Sequence, residues 1–113
     1  MDALQFKEVL AEQLQTCSET LSYKASEYAS DSDRLHNFKL AAALEETTMR
    51  KALGGMMAKH TVSVYDLIRS AEADTSIEVW NEKITDHINY LILLKAIVIE
   101  EQKYAKYQKE HDA

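Results

Sequence analysis

Apolar side chains recur every three or four positions along most of this chain, the period of helices that bury one face. In the first segment Phe6, Leu10, Leu14, Cys17 and Leu21 keep that spacing, with Val9 beside them. They predict a helix from about Ala3 to Lys24. Small polar residues break the pattern in "EYASDSDRLHNFK". There Ser32 or Asp33 can cap a second helix running from Arg34 to about Glu45, with Leu35, Phe38 and Ala42 turned inward. Thr47 or Thr48 can cap a third, in which Met49, Leu53, Met56, His60, Val64, Leu67 and Ala71 stay in register. A fourth starts between Asp74 and Ser76 and carries Ile77, Trp80, Ile84, Ile88, Leu91 and Val98 on one side. It continues to about Tyr107, leaving 108–113 as a frayed tail.

The adjacent Gly54 and Gly55 lie inside the third segment. Each costs roughly 1 kcal/mol in a helix relative to alanine. That cost points to close backbone approach, a kink, or a split into two helices.

Four helical segments joined by short connections predict an all-α fold, an antiparallel four-helix bundle in one domain with its core over about 3–107. Composition agrees: there is no proline and only two glycines, whereas an all-β chain draws heavily on both for its turns. A net charge of −6 argues against duplex nucleic acid as a partner, since phosphate binding calls for a basic face. The single cysteine, Cys17, permits no intrachain disulfide, suits a reducing compartment, and lies on an apolar face as a packed thiol. The opening "MDALQFKEVLAEQ" is unlike a signal peptide, and the apolar run from Ile88 to Ile99 is too short and too polar to span a membrane. A cytoplasmic protein is expected.

The fourth segment also carries the candidate chemistry. Glu78, Glu82, Asp86 and Asn89 fall on one stripe, roughly opposite Ile77, Trp80, Ile84, Ile88 and Leu91. By itself that is a solvated face, and Glu78 suits the positive start of a helix without any ligand. From Leu91 to Ile99, however, the segment is apolar nearly all round, as expected of a helix covered on every side. One chain of four helices has few ways to cover it so fully. A homo-oligomer, dimer or tetramer, is therefore expected. Carboxylates at the edge of such cover suit a divalent cation, and Glu82 and Asp86, helped by Glu78, suit Mg²⁺ with its oxygen ligands and retained waters. Asn89, Lys59 and the group Asp33, His36 and Asn37 are the polar residues that could complete a pocket with them. His60 sits on the apolar stripe and reads as a half-buried core histidine. His87 flanks the boundary between wet and buried faces.

Two blocks together resemble a known family. "KASEYASDSDRLHNFK" holds Lys24, Glu27, Tyr28, Asp33, Asn37 and Phe38, and "EKITDHINYLILL" holds Glu82, Asp86, Asn89 and Tyr90. In order and separation they resemble the small helical phage domain called nucleotide modification associated domain 1, over roughly Lys24 to Leu94. The resemblance implies a phage or prophage protein tied to nucleotide metabolism or base modification. It also implies a distant similarity to the all-α, MazG-like nucleoside triphosphate pyrophosphohydrolases, in which helix-borne acids hold Mg²⁺. Their Glu-x-x-Glu and Glu-x-x-Asp pairs are not reproduced by the spacing of Glu78, Glu82 and Asp86. Mg²⁺-dependent nucleotide binding or pyrophosphohydrolysis is one expectation, with Lys59 meeting phosphate, Asp33, His36 and Asn37 the base or sugar, Asn89 orienting a ligand or carboxylate, and no catalytic residue assigned. A non-catalytic helical oligomerisation or interaction module, with Asn89 setting helix register, is the other.

Overall fold

The computed structural model describes residues 1–28, 32–71 and 74–112, with backbone alone for 24–28. These residues are all-helical: α1 (Ala3–Tyr28), α2 (His36–Leu44), α3 (Met49–Arg69) and α4 (Ile77–His111). The cap of each helix explains where it begins. At α1, the Asp2 N–H donates to Gln5 Oε1 at 2.9 Å and the Gln5 N–H donates to Asp2 Oδ1 at 2.8 Å, a reciprocal capping box. Thr48 accepts from the Lys51 N–H at the start of α3, and Ser76 from the Val79 N–H at the start of α4. Helix α2 differs from expectation. It starts at His36, two residues later than expected, with Leu35 as its lead-in, while Asp33 does accept from the Leu35 N–H two residues on.

Between α2 and α3 the chain reverses without a glycine. Glu46 takes φ 53°, the Thr47 N–H donates to the Ala42 carbonyl at 2.9 Å, and the Glu46 N–H donates to the Ala43 carbonyl at 3.3 Å. This is a Schellman closure with glutamate in the left-handed position that glycine usually fills. Helix α3 runs unbroken through Gly54 and Gly55, and a Cβ added at either would meet nothing within 4 Å. Neither a split nor a close approach within the chain therefore accounts for the pair. Helix α4 continues past the expected end near Tyr107. The His111 ring stacks on Tyr107 at 4.0 Å between centroids, and its Nδ1 lies 2.9 Å from the Tyr107 carbonyl oxygen.

The core is small and lies where α2, α3 and α4 meet. Leu35, Phe38, Leu53 and Ile97 are buried together, with Met49, Met57, Tyr90, Leu93 and Leu94 packed against them. Leu53 and Ile97 are 0% exposed. Helices α3 and α4 run antiparallel: Arg50 meets Glu101 at 2.9 Å at one end, and Thr61 meets His87 at 3.1 Å nearer the middle. Helix α1 instead runs in the same direction as α4. Val9 shares a small cleft with Ile77, Gln13 bonds Thr85, and Leu21 shares a second cleft with Asn89 and Leu93. These pairings differ from the expected four antiparallel rods. The reason is the length of α2: nine residues rise only about 13 Å, too little for a full rod.

Helix α4, about 52 Å long at 1.5 Å per residue, is the spine of a 58 × 30 × 27 Å body. The radius of gyration is 17.4 Å, against about 13 Å for a compact domain of this length. An elongated body buries less, and several expected core residues lie open. On α1, Phe6, Leu10 and Leu14 are 60%, 51% and 58% exposed, while Cys17 beside them is buried. On α4, Ile77, Leu91, Ile92 and Ile99 are also exposed, so the chain by itself does not cover the apolar stretch. Its buried positions are Thr85, Asn89 and Ile97. Among the described residues, no helix is long and apolar enough to cross a membrane.

Candidate functional site

A cleft of about 290 Å³ opens where α2 leans on the middle of α4. Arg34, Asn37 and Phe38 line it from the start of α2, and Asp86, Asn89, Tyr90 and Leu93 line it from successive turns of α4. Leu21 of α1 and Met56 of α3 complete the wall. The sequence explains this convergence locally. Arg34, Asn37 and Phe38 stand one turn apart at the lead-in and first turn of α2, as do Asp86, Asn89, Tyr90 and Leu93 on α4. Burying Phe38 and Leu35 against Ile97 then brings the two polar sets together.

Asn89 is the unusual member. It is 6% exposed, and neither its Nδ2 nor its Oδ1 has a hydrogen-bond partner among the described residues. A buried donor or acceptor left unmade costs about 1–3 kcal/mol, so such groups are few in native structures and each has a cause. Tyr90 is its neighbour in the wall. Burial, followed by the nearby Asp86 carboxylate, holds the Tyr90 phenol above its ordinary 10.0, so it stays a neutral donor across physiological pH. His60 of α3 backs Tyr90, with ring centroids 4.7 Å apart and the planes tilted by 40°. The half-buried reading of His60 therefore matches its place, and His87 is occupied with Thr61 rather than with the cleft.

The other anticipated residues divide. Asn37 and Asn89 come together in the cleft, joined by Asp86. Asp33 lines a neighbouring groove instead, where its carboxylate lies 2.8 Å from Lys39 Nζ. That lysine, first among the causes, holds the Asp33 carboxyl below its ordinary 3.8. His36 and Lys59 are exposed and line neither cavity. Glu78 and Glu82 are exposed on α4 toward its start, outside the cleft wall. Glu82 and Asp86 remain one turn apart, but no three His, Cys, Asp or Glu side chains among the described residues group so as to hold a metal ion.

Arg34 is the residue that sequence reasoning passed over, having been taken only as the start of α2. Its signal was available: it precedes Asn37 by three positions and Phe38 by four, the spacing of one helical face. The cleft thus offers one guanidinium, one carboxylate, two carboxamides and two aromatic rings on an apolar floor. Such a set suits recognition of a planar polar ligand better than bond-making chemistry. No known protein family, curated protein or solved structure matches the chain.

Proposed function

We propose that this protein binds a nucleotide and seats its base in the cleft between α2 and α4. The observation that carries the reading is the orphaned carboxamide of Asn89. A ligand presenting one acceptor beside one donor would satisfy Nδ2 and Oδ1 together, and nucleobases carry such amide and amidine edges. Phe38 and Tyr90 supply aromatic surface for a base plane, and Asn37 supplies a second amide. The volume, about 290 Å³, is at the low end for ligand clefts and suits one planar ring system. The resemblance of the Lys24–Phe38 and Glu82–Leu94 blocks to a phage nucleotide modification associated domain points the same way. Of the acids of α4, Asp86 lines the cleft while Glu78 and Glu82 do not, and the reading is confined to binding.

The experiment is calorimetric titration of the common nucleosides and nucleotides into the wild-type protein and Asn89→Leu. Binding by the wild type and loss of at least tenfold in affinity in Asn89→Leu are expected. Absence of binding across the panel, or equal affinity in the variant, would overturn the reading.

A second reading, compatible with the first, is self-association as a dimer or tetramer. What supports it is the open apolar face of α1, with Phe6, Leu10 and Leu14 more than half exposed, together with Leu91 and Ile99 of α4. Exposed apolar surface of this kind marks association sites, and a second copy lying on the open face of α1 would cover it. Sedimentation equilibrium tests this. Assembly that Leu10→Lys dissolves is expected, and a monomer at high concentration would refute it.

A further inference from the structure

We infer that the phosphate end of the bound nucleotide points away from the acidic half of α4, across Arg34 and into the neighbouring groove toward Lys103. The inference rests on the nucleotide reading above and assigns the ligand its direction in the cleft. The groove, about 680 Å³, shares Arg34 and Leu93 with the base cleft, so the two cavities meet along one wall.

Charge decides the direction. In the groove, Lys39 Nζ lies 2.8 Å from Asp33 Oδ2 and 2.7 Å from Glu100 Oε1. Both carboxylates of that wall are thus turned to a single cation. Arg34 and Lys103 make no ion pair among the described residues, and with them the groove's three cations outnumber its two carboxylates by one. Helix α2 begins just beyond Arg34 with no side-chain cap, so the positive end of its peptide dipoles adds to the guanidinium. A guanidinium also matches two phosphate oxygens with parallel N–H donors. Beyond the other end of the cleft stand the exposed Glu82 and Glu78, which disfavour a phosphate unless a cation intervenes. A phosphate seated at Arg34 needs no such cation. The ligand class is therefore a nucleoside phosphate held without Mg²⁺.

The test is calorimetry of the common nucleosides and their 5′-monophosphates, in Mg²⁺ and in EDTA. The proteins are wild type, Arg34→Gln/Lys103→Gln and Glu82→Gln/Asp86→Asn. A monophosphate should bind wild type about tenfold or more tighter than its nucleoside, as expected when charge-assisted hydrogen bonds are added, and equally in both buffers. The Arg34→Gln/Lys103→Gln protein should lose the preference for the monophosphate, read as the ratio of its two affinities whatever its affinity for nucleoside. The Glu82→Gln/Asp86→Asn protein should keep it. A preference that requires Mg²⁺ and vanishes in Glu82→Gln/Asp86→Asn would place the phosphate at the acidic end and overturn the inference. Equal affinity of wild type for nucleoside and monophosphate would also overturn it, while leaving the base assignment standing. If nothing in the panel binds, both fall together. All three proteins should melt alike, since the substituted residues lie outside the core.

Discussion

Gln13 of α1 donates from Nε2 to the hydroxyl oxygen of Thr85 on α4, 2.8 Å away, and the same amide lies 3.3 Å from the Sγ of Cys17. Thr85 and Cys17 are both buried, at 4% and 2% exposure, so this polar contact fixes how the two parallel helices sit along one another. Gln13→Leu strands the Thr85 hydroxyl and should cost about 1–3 kcal/mol in urea unfolding. Adding Thr85→Val should return most of that loss, because a matched apolar pair leaves nothing unsatisfied. If the double variant is no more stable than the single one, the bond is not what holds α1 in register.

Asn89→Leu should make the ligand-free protein more stable, by about 1–3 kcal/mol, because it removes two unsatisfied buried atoms. Most buried substitutions destabilise, so the sign is diagnostic. A lower urea midpoint would show that the carboxamide has structural partners and is not held in reserve for a ligand.

Glu46 sits at φ 53° in the turn after α2, where a side chain is strained and glycine is not. Glu46→Gly should therefore stabilise by several tenths of a kcal/mol up to about 1 kcal/mol. Gly54→Ala and Gly55→Ala should do the same, at about 0.5–1 kcal/mol each, because both are helical and their Cβ positions are open. Thermal melting of each single variant reads the sign. Loss of stability that grows with protein concentration for the glycine variants would mean that a second copy packs against the pair.

Leu53→Ala should cost about 2–5 kcal/mol, as expected for a fully buried leucine. In a core this small that is a large share of a typical domain's stability. Loss of the cooperative urea transition, or a shift of its midpoint by that amount, is the expected outcome.

The Asp33–Lys39–Glu100 cluster gives a pH dependence with a definite sign. The folded Asp33 carboxyl titrates below its ordinary 3.8, and the folded Lys39 ammonium above its ordinary 10.5, each chiefly through the hydrogen bond between them. The Asp33 contribution is present above the ordinary carboxylate value and is lost as pH falls through the depressed one. The Lys39 contribution is present below the ordinary lysine value and is lost as pH rises through the raised one. Both groups are open to water, so the effect on stability is small. NMR titration should show the Asp33 carboxyl returning toward 3.8 in Lys39→Met.

Much of the local structure was legible in the residues. Thr48 and Ser76 act as caps because a hydroxyl one position before a helix can reach its free N–H groups, whatever the rest of the chain does. Leu35, Phe38, Ala42 and Leu53 kept the inward positions that their period assigned. The pairing of Asn37 with Asn89 was legible as two blocks that belong together, although their meeting was not visible.

The sequence by itself determined that the chain is helical, where its helices start, and which faces are apolar, because those depend on neighbours three or four residues away. Only the tertiary structure decided which apolar faces are covered. Phe6, Leu10 and Leu14 follow the same period as Cys17 yet lie open, since α4 meets α1 along Val9 and Gln13 and leaves their side uncovered. The wheel placed Asn89 with the acids on the wet side of α4, yet the packed structure buries it, with Leu21 of α1, Phe38 of α2 and Met56 of α3 around the same cleft. Burial is a property of the partner that arrives, and a helical period names a face without naming what will cover it.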